Sequence, residues 1–251
     1  MTALHHEIVG PDGAPPLLLG GSLGTTLRMW DRQLALAEGR RLIPFDHRGH
    51  GGSPTPAGPY EIADFGHDVL ALRDALGLER ASYCGLSIAG MVGMWLAINA
   101  PERLDRLVLV CTAAHLPPAS AWQERAATVL AAGGIEPVAD AVVDRWLTPA
   151  FAAAHPEVRA GLRAMLASSP ADGYAACCGA IERMDLRAEL PGIGAPTLVV
   201  SGDADLAAPV EHQALIAAAV QRARHEVITP AAHVAAVEQP EIVNQLIEDL
   251  S

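Results

Sequence analysis

Short apolar runs alternate with longer stretches of helical spacing in the first half of the chain. Residues 62–76 place apolar Phe65, Val69 and Leu72 on one face, and residues 91–100 form an apolar stretch that ends before Pro101. Both patterns predict helices. The apolar runs have the length and residue types of buried β-strands, and they cover residues 17–19, 41–45, 81–84 and 107–111. Strands that alternate with helices predict an α/β fold with a mostly parallel, doubly wound sheet.

The alternation is interrupted by an Ala-rich stretch over residues 117–190, which is helical in pattern and broken by glycines and prolines. Strand patterns resume at residues 197–201 and 226–229, and helices are predicted over 210–219 and from Pro240. We therefore predict one core domain from residues 1–116 and 191–251, with residues 117–190 as a helical lid. A single domain also fits a length of 251 residues.

The charge balance disfavours one large class of function. The chain has 17 basic and 29 acidic residues, a net charge of −12, and no basic stripe, which disfavours nucleic-acid binding. The first ten residues lack a leader pattern and no uncharged apolar run approaches 18 residues, so we expect a cytoplasmic protein without a membrane partner. The four cysteines show neither a disulfide framework nor zinc spacing, which predicts buried free thiols and no metal. The sequence is compatible with a homo-oligomer.

One serine stands where a strand is predicted to turn into a helix. The stretch YCGLSIAGMVG, residues 83–93, places Ser87 in the pattern G-x-S-x-G except that the last position is Ala89. Ligands of open parallel sheets gather beyond the carboxyl ends of the strands, where Ser87 would lie. Ser87 is therefore either a catalytic nucleophile or a small residue in a tight turn, and the remaining sequence must distinguish the two.

A nucleophilic serine needs a base and a third group that orients the base. Asp205 follows the strand predicted at 197–201, and we favour it as the acid over Asp203. His233 lies among small residues in PAAHVAAVEQP, after the last predicted strand, and is the candidate base. The order Ser, Asp, His is the one that accompanies the nucleophile elbow of α/β-hydrolases. These positions favour the catalytic interpretation of Ser87.

Acyl transfer also requires donors for an oxyanion. The backbone N–H of Ile88, at the start of the helix, is one candidate. The glycine-rich loop in LLLGGSLGTT supplies the second, for which we favour Ser22 over Leu23. A phosphate cradle is disfavoured because this loop lacks the lysine and the glycine spacing of nucleotide-binding motifs. We expect Ala89 to cause only modest strain, because Gly85 and Gly90 limit crowding at the elbow.

Several segments together resemble the α/β-hydrolase superfamily, and specifically the 3-oxoadipate enol-lactonases of aromatic catabolism. They are GSLGTTLRMWDRQL, FDHRGHGGSP, YCGLSIAGMVGMWLAINAPERLDRLVLVCTAA, VADAVVDRWLTPAFAAAHPE and HVAAVEQPE. The similarity extends over the whole chain, with two departures at the elbow glycine (Ala89) and at the histidine of the common HG loop (Gly20). The resemblance implies a serine hydrolase with Ser87, Asp205 and His233 as its catalytic residues, hydrolysis of 3-oxoadipate enol-lactone in the β-ketoadipate pathway, and no cofactor.

The substrate that this resemblance implies carries a carboxylate, for which the acidic chain must provide a local cation or a set of amides. The candidates for contact with the substrate are Leu23, Trp122, Arg125, Arg145 and Trp146, with Trp146 favoured over either arginine. Two other classes of function stay open. One is a carboxylesterase or lactonase of different specificity, and the other is a non-hydrolytic lyase or a binding protein on the same fold.

Overall fold

Six strands form one sheet at the centre of the computed structural model, which describes residues 1–249. The strands are β1 (Pro16–Gly20), β2 (Arg41–Phe45), β3 (Ala81–Leu86), β4 (Leu104–Val110), β5 (Thr197–Gly202) and β6 (Ala223–Ile228). Their order is β2-β1-β3-β4-β5-β6, and every neighbouring pair is parallel. The predicted α/β class is confirmed, and the sheet is parallel throughout rather than mostly so.

Helices connect the strands of this sheet. Helix α2 (Ile88–Asn99) packs on β3 and β4, and α8 (Val210–Ala219) packs on β5 and β6. The α-helices outside the β4–β5 connection are α1 (Ile62–Ala75), α2 (Ile88–Asn99), α8 (Val210–Ala219), α9 (Ala235–Glu238) and α10 (Pro240–Asp249). A 3-10 helix over Leu27–Glu38 lies against β2 and α10, and the sequence pattern did not predict it.

Five consecutive helices lie between β4 and β5. They are α3 (Ala119–Ala132), α4 (Glu136–Val143), α5 (Pro149–Ala154), α6 (Pro156–Ala167) and α7 (Ala171–Arg183). An antiparallel bridge between His115 and Asp185 joins the two ends of this segment, and α3 packs along α7. We call residues 117–190 the helical segment. Its role as a lid stays a prediction.

The core is built from the strands at the centre of the sheet. β3 and β5 are buried over their whole lengths, as expected for strands covered on both faces.

All four cysteines are free and buried, and burial raises the pKa of the Cys84 thiol. None of the helices in residues 1–249 has the length and apolarity needed to cross a membrane. The same residues contain no group of three or more His, Cys, Asp or Glu side chains arranged to hold a metal ion.

Candidate active site

Ser87 lies on a strained turn between β3 and α2. Its backbone has φ 60° and ψ −119°, a conformation that L-residues rarely adopt. Hydrogen bonds hold the turn on both sides, because the Ser87 N–H donates to the Val110 carbonyl at 2.9 Å and the Thr112 hydroxyl donates to the Ser87 carbonyl at 2.6 Å. The surrounding structure therefore fixes the serine at the carboxyl end of the sheet.

Close contacts with backbone and side-chain atoms explain why the residues around this turn are small. A Cβ on Gly85 would lie 2.3 Å from the Ala89 carbonyl oxygen, and one on Gly90 would lie 2.6 Å from the Thr112 side chain. The two departures from the family pattern are also neighbours. A Cβ on Gly20 would lie 2.8 Å from the Ala89 Cβ, so the methyl group of Ala89 occupies space that glycine at position 20 leaves open.

The structure pairs His233 with Asp205. Nδ1 of His233 lies 2.9 Å from Oδ2 and 3.1 Å from Oδ1 of Asp205, and both side chains are buried. Oδ1 also accepts the backbone N–H groups of Ala207 and Ala208, which fix the carboxylate. Asp203 has a different partner, because its Oδ1 accepts the Ala231 N–H at 3.0 Å. Of the two aspartates considered from the sequence, Asp205 is the one in contact with the imidazole.

Ser87 and His233 line one cavity of about 300 Å³. Within residues 1–249, no hydrogen bond joins their side chains. Hydrogen bonds between catalytic groups are often long or poorly aligned before substrate binds, and they tighten in the complex. The arrangement places a serine hydroxyl and a carboxylate-paired imidazole on the same cavity.

Three backbone amides that the sequence indicated as oxyanion donors have no acceptor among the described residues. In the described part of the chain, the N–H groups of Ser22, Leu23 and Ile88 donate no hydrogen bond to protein. Ile88 is the first residue of α2, so its amide has no carbonyl within the helix to bind. Ser22 and Leu23 line the same cavity as Ser87.

A buried histidine anchors the loop that carries Ser22 and Leu23. Nε2 of His50 accepts the Gly24 N–H at 2.8 Å, and its Nδ1 lies 3.2 Å from the Arg48 carbonyl oxygen. Burial lowers the pKa of His50, which favours the neutral imidazole that can accept this bond. The sequence pattern did not indicate this role for His50.

All five residues predicted to contact the substrate line this cavity. Leu23 comes from the loop after β1, and Trp122, Arg125, Arg145 and Trp146 come from the helical segment. Tyr174, Leu206 and His212 also line it and were not predicted. For His212, the available signal was its place in the first turn of the predicted helix that follows Asp205. For Tyr174, nothing in the sequence pattern distinguished it from a core residue.

The two arginines of the cavity have no acidic partner. Within the described residues, no carboxylate lies within 4.0 Å of Arg125 or Arg145. Arg125 stacks 4.7 Å from the ring centroid of Trp122, and burial together with the Arg125 charge lowers the pKa of Arg145. The buried hydroxyl of Tyr174 forms no hydrogen bond of normal geometry with residues 1–249, but it lies close enough to Arg125 for that charge to oppose the rise in its pKa caused by burial. The cavity thus offers uncompensated positive charge and a hydroxyl in a chain of net charge −12.

Two other charged residues near the ends of strands have structural roles. Arg48 donates to the buried Asp68 carboxylate at 2.6 Å. Asp46 follows β2 and accepts the N–H groups of Leu27 and Gly52, so it fixes a turn. Neither residue lines the cavity of Ser87.

Sequence and structure comparisons identify relatives of the chain. Residues 15–132 match the family model described as alpha/beta hydrolase fold. The chain is 39% identical to 3-oxoadipate enol-lactonase 2 of Acinetobacter baylyi, over 98% of this chain and 92% of that protein. It is 34% identical to a putative carbamate hydrolase RutD of Variovorax paradoxus, over 82% of this chain and 80% of that protein. The crystal structure of the enol-lactonase from Burkholderia xenovorans LB400 superposes with a TM-score of 0.96 at 38% identity, covering 99% of this chain and 96% of that one.

Proposed function

The chain belongs to the α/β-hydrolase family and is a carboxylic-ester hydrolase, and we propose that it opens 3-oxoadipate enol-lactone to 3-oxoadipate in aromatic catabolism. The observation that carries the proposal is the set of residues that line one cavity. Ser87 and the Asp205-paired His233 lie on it together with Arg125 and Arg145, which have no carboxylate partner among the described residues. A serine, a base and a cationic wall suit a substrate that is both an ester and an anion.

In the first half of the reaction, Nε2 of His233 takes the proton of the Ser87 hydroxyl, and the alkoxide attacks the lactone carbonyl. Asp205 accepts a hydrogen bond from Nδ1–H of His233 and stabilises the imidazolium that forms. The N–H groups of Ile88 and Ser22, or Leu23 in place of Ser22, bind the developing oxyanion. The scissile C–O bond then breaks, and the ring oxygen leaves as an enolate.

An enolate is a weaker base than an alkoxide, so it departs with less help from an acid than an ordinary ester alcohol needs. The proton on His233 is available to the enolate, which becomes the ketone of the product. His233 then removes a proton from water, and the resulting hydroxide attacks the acyl group on Ser87. Collapse of this second intermediate transfers the proton from His233 to the Ser87 oxygen and releases the new carboxylic acid, which loses its proton to solvent.

The carboxylate that the substrate already carries binds at the wall of the cavity that the helical segment forms. Arg125, Arg145 and the Tyr174 hydroxyl all line that cavity and have no acidic partner there. Bonds from guanidinium to carboxylate are among the stronger hydrogen bonds in proteins. Trp146 and Trp122 contribute apolar contacts to the rest of the substrate. In this proposal the cationic wall selects an anionic ester over a neutral one.

The test is turnover of the enol-lactone by the purified protein, compared with p-nitrophenyl acetate and with a carbamate ester. We expect the lactone to give the highest kcat/KM. Activity confined to p-nitrophenyl acetate would make the protein an esterase of other specificity, and preference for the carbamate would favour the chemistry named for the Variovorax paradoxus relative.

Covalent labelling tests the nucleophile independently of the substrate. A serine-directed phosphonate should add one adduct at Ser87, detected by mass spectrometry of the tryptic peptide. Ser87→Ala should remove both the adduct and hydrolysis, whereas Ser168→Ala, at an exposed serine on the end of α6, should change neither. Failure of the wild-type protein to form the adduct would favour a lyase or a binding protein.

A further inference from the structure

The main chain around His233 is held by three different parts of the molecule. The Ala231 N–H donates to Asp203, the Ala232 N–H donates to Oε2 of Glu238 at 2.5 Å, and the Val234 N–H donates to the Trp146 carbonyl at 3.0 Å. Asp203 belongs to the core, but Trp146 belongs to the helical segment. The position of His233 therefore depends in part on contacts with that segment.

Glu238 is a buried carboxylate that the proposed reaction does not use. It ends α9 and is 6% exposed. Its Oε1 accepts both the N–H and the hydroxyl of Thr148, at 2.7 and 2.8 Å, while Oε2 accepts the Ala232 N–H. No cation of residues 1–249 forms an ion pair with it, so hydrogen-bond donors alone compensate its charge. Three hydrogen bonds therefore fix the position of this carboxylate.

Thr148 connects this carboxylate to the wall of the cavity. It lies two residues after Trp146, which lines the cavity, and its side chain caps the N-terminus of α5 by accepting the Phe151 N–H. Hydrogen bonds thus join residues 146–148 to the His233 loop (residues 230–234) at two points. One is the bond from the Val234 N–H to the Trp146 carbonyl, and the other runs from Thr148 through Glu238 to the Ala232 N–H.

We propose that Glu238 is a positioning residue that joins the helical segment to the His233 loop, and so holds the imidazole in its working orientation. The proposal rests on the proposed function, because it takes His233 as the base. Glutamine cannot replace the carboxylate in this role. An amide has one oxygen, so its NH₂ group would face the N–H of either Ala232 or Thr148 and leave one of them unpaired.

Two pairs of variants test this role. Glu238→Gln should lower kcat about 10- to 100-fold with p-nitrophenyl acetate or the lactone, and KM should change little, because small displacements of catalytic groups act on the chemical step. Glu241→Gln, at an exposed glutamate of α10, is the matched control and should retain full activity.

The second pair addresses the partner of Glu238. Thr148→Val removes the hydroxyl donor and should lower kcat several-fold, whereas Thr148→Ser keeps it and should restore kcat. When Glu238→Gln is combined with Thr148→Val, the loss should be smaller than the product of the separate losses, because both changes break the same link. If Glu238→Gln does not fold, the Thr148 pair alone decides the question.

A measurement that needs no enzymatic activity distinguishes failure of the proposed function from failure of the positioning role of Glu238. The Nδ1–H proton of His233, bonded to Asp205, should give a low-field NMR signal that exchanges with water more rapidly in Glu238→Gln than in Glu241→Gln. If the wild-type protein hydrolyses no ester, the proposed function fails and this signal alone tests Glu238. An unchanged signal and unchanged kcat, or a lower Tm with intact kcat, would overturn the positioning role.

Discussion

The imidazole of His233 has Nδ1 2.9 Å from Oδ2 and 3.1 Å from Oδ1 of Asp205. The carboxylate cannot turn away freely, because two consecutive amides, those of Ala207 and Ala208, also bind Oδ1. A carboxylate accepts hydrogen bonds, so Nδ1 carries the proton and Nε2 is left as the basic atom. This tautomer is the one that a histidine base requires.

Replacement of Asp205 by asparagine should therefore lower kcat by about 10³- to 10⁴-fold, because an amide stabilises the wrong tautomer and cannot balance the imidazolium. Asp203→Asn is the control. Its side-chain oxygen can still accept the Ala231 N–H, and we expect nearly full activity. Steady-state kinetics with p-nitrophenyl acetate would measure both variants. A similar loss in the two would show that the loop, rather than the His233 contact, determines activity.

The cationic wall of the cavity gives a second prediction. Arg145→Gln and Arg125→Gln should each lower kcat/KM for the anionic lactone by about 10- to 100-fold, the value of a hydrogen bond to a charged group. The same changes should leave kcat/KM for p-nitrophenyl acetate nearly constant. Arg32→Gln, at an exposed arginine of the 3-10 helix, is the control. Equal losses on the two substrates would exclude a carboxylate subsite at these residues.

Periodicity predicted the buried strands of the fold but placed the starts of two strands three residues too late. β4 begins at Leu104 rather than 107, and β6 begins at Ala223 rather than 226. The added residues of β4 include half-buried Asp105 and Arg106, and β6 is an edge strand with several exposed positions. These first residues of β4 and β6 are extended because they pair with a neighbouring strand. A sequence pattern that reports burial does not detect such pairing. Cys111, predicted as the last residue of its strand, follows β4 with φ 47°.

The residues of the candidate site are likewise of two kinds, those that a local sequence pattern indicates and those that depend on packing between distant segments. Ser87, Asp205 and His233 could be selected from the sequence because each follows a predicted strand, and parallel strands bring their carboxyl ends to one edge of a sheet. The link from Glu238 to Thr148 spans 90 residues and depends on how the helical segment packs, which no local pattern encodes. The same packing decides that Tyr174 faces the cavity.

A buried histidine makes the stability of the protein depend on pH. Burial is the main cause that lowers the pKa of His47 to about 3, with the nearby His50 adding to it. Its ring packs edge-on against Phe45 and Phe65. The unfolded chain binds a proton on this residue below about pH 6.5, while the folded protein does not. Stability is therefore fully present above pH 6.5 and falls as the pH decreases towards 3.

Between pH 6.5 and pH 5 the contribution of His47 to the free energy of unfolding should fall by about 2 kcal/mol. Urea denaturation across this range measures the slope. His47→Asn should be less stable than the wild type at neutral pH and should show a shallower decrease on acidification. A variant with the wild-type slope would assign the pH dependence to other groups, such as His50.

The contact between positions 20 and 89 gives a prediction about the departures from the family pattern. A methyl group on Gly20 would lie 2.8 Å from the Ala89 Cβ and 2.9 Å from the Tyr83 hydroxyl, and both neighbours are buried. We expect Gly20→Ala to lower the free energy of unfolding by about 1–3 kcal/mol, as overpacking usually does. Gly192→Ala is the control, because a Cβ there meets nothing within 4 Å.

Ala89→Gly removes one of the three close contacts that a methyl group on Gly20 would make, and it restores the common elbow pattern. It should therefore retain activity and fold with a modest loss from the lower helix propensity of glycine. In that background Gly20→Ala should be less harmful than in the wild type, because only the Tyr83 and Phe45 side chains must then move to accept the methyl group. A double-mutant cycle of unfolding free energies measures the coupling, which we expect to be about 1 kcal/mol or more. Additive effects would mean that the two departures are independent. Loss of activity in folded Ala89→Gly would mean that the alanine methyl group itself supports the geometry of Ser87.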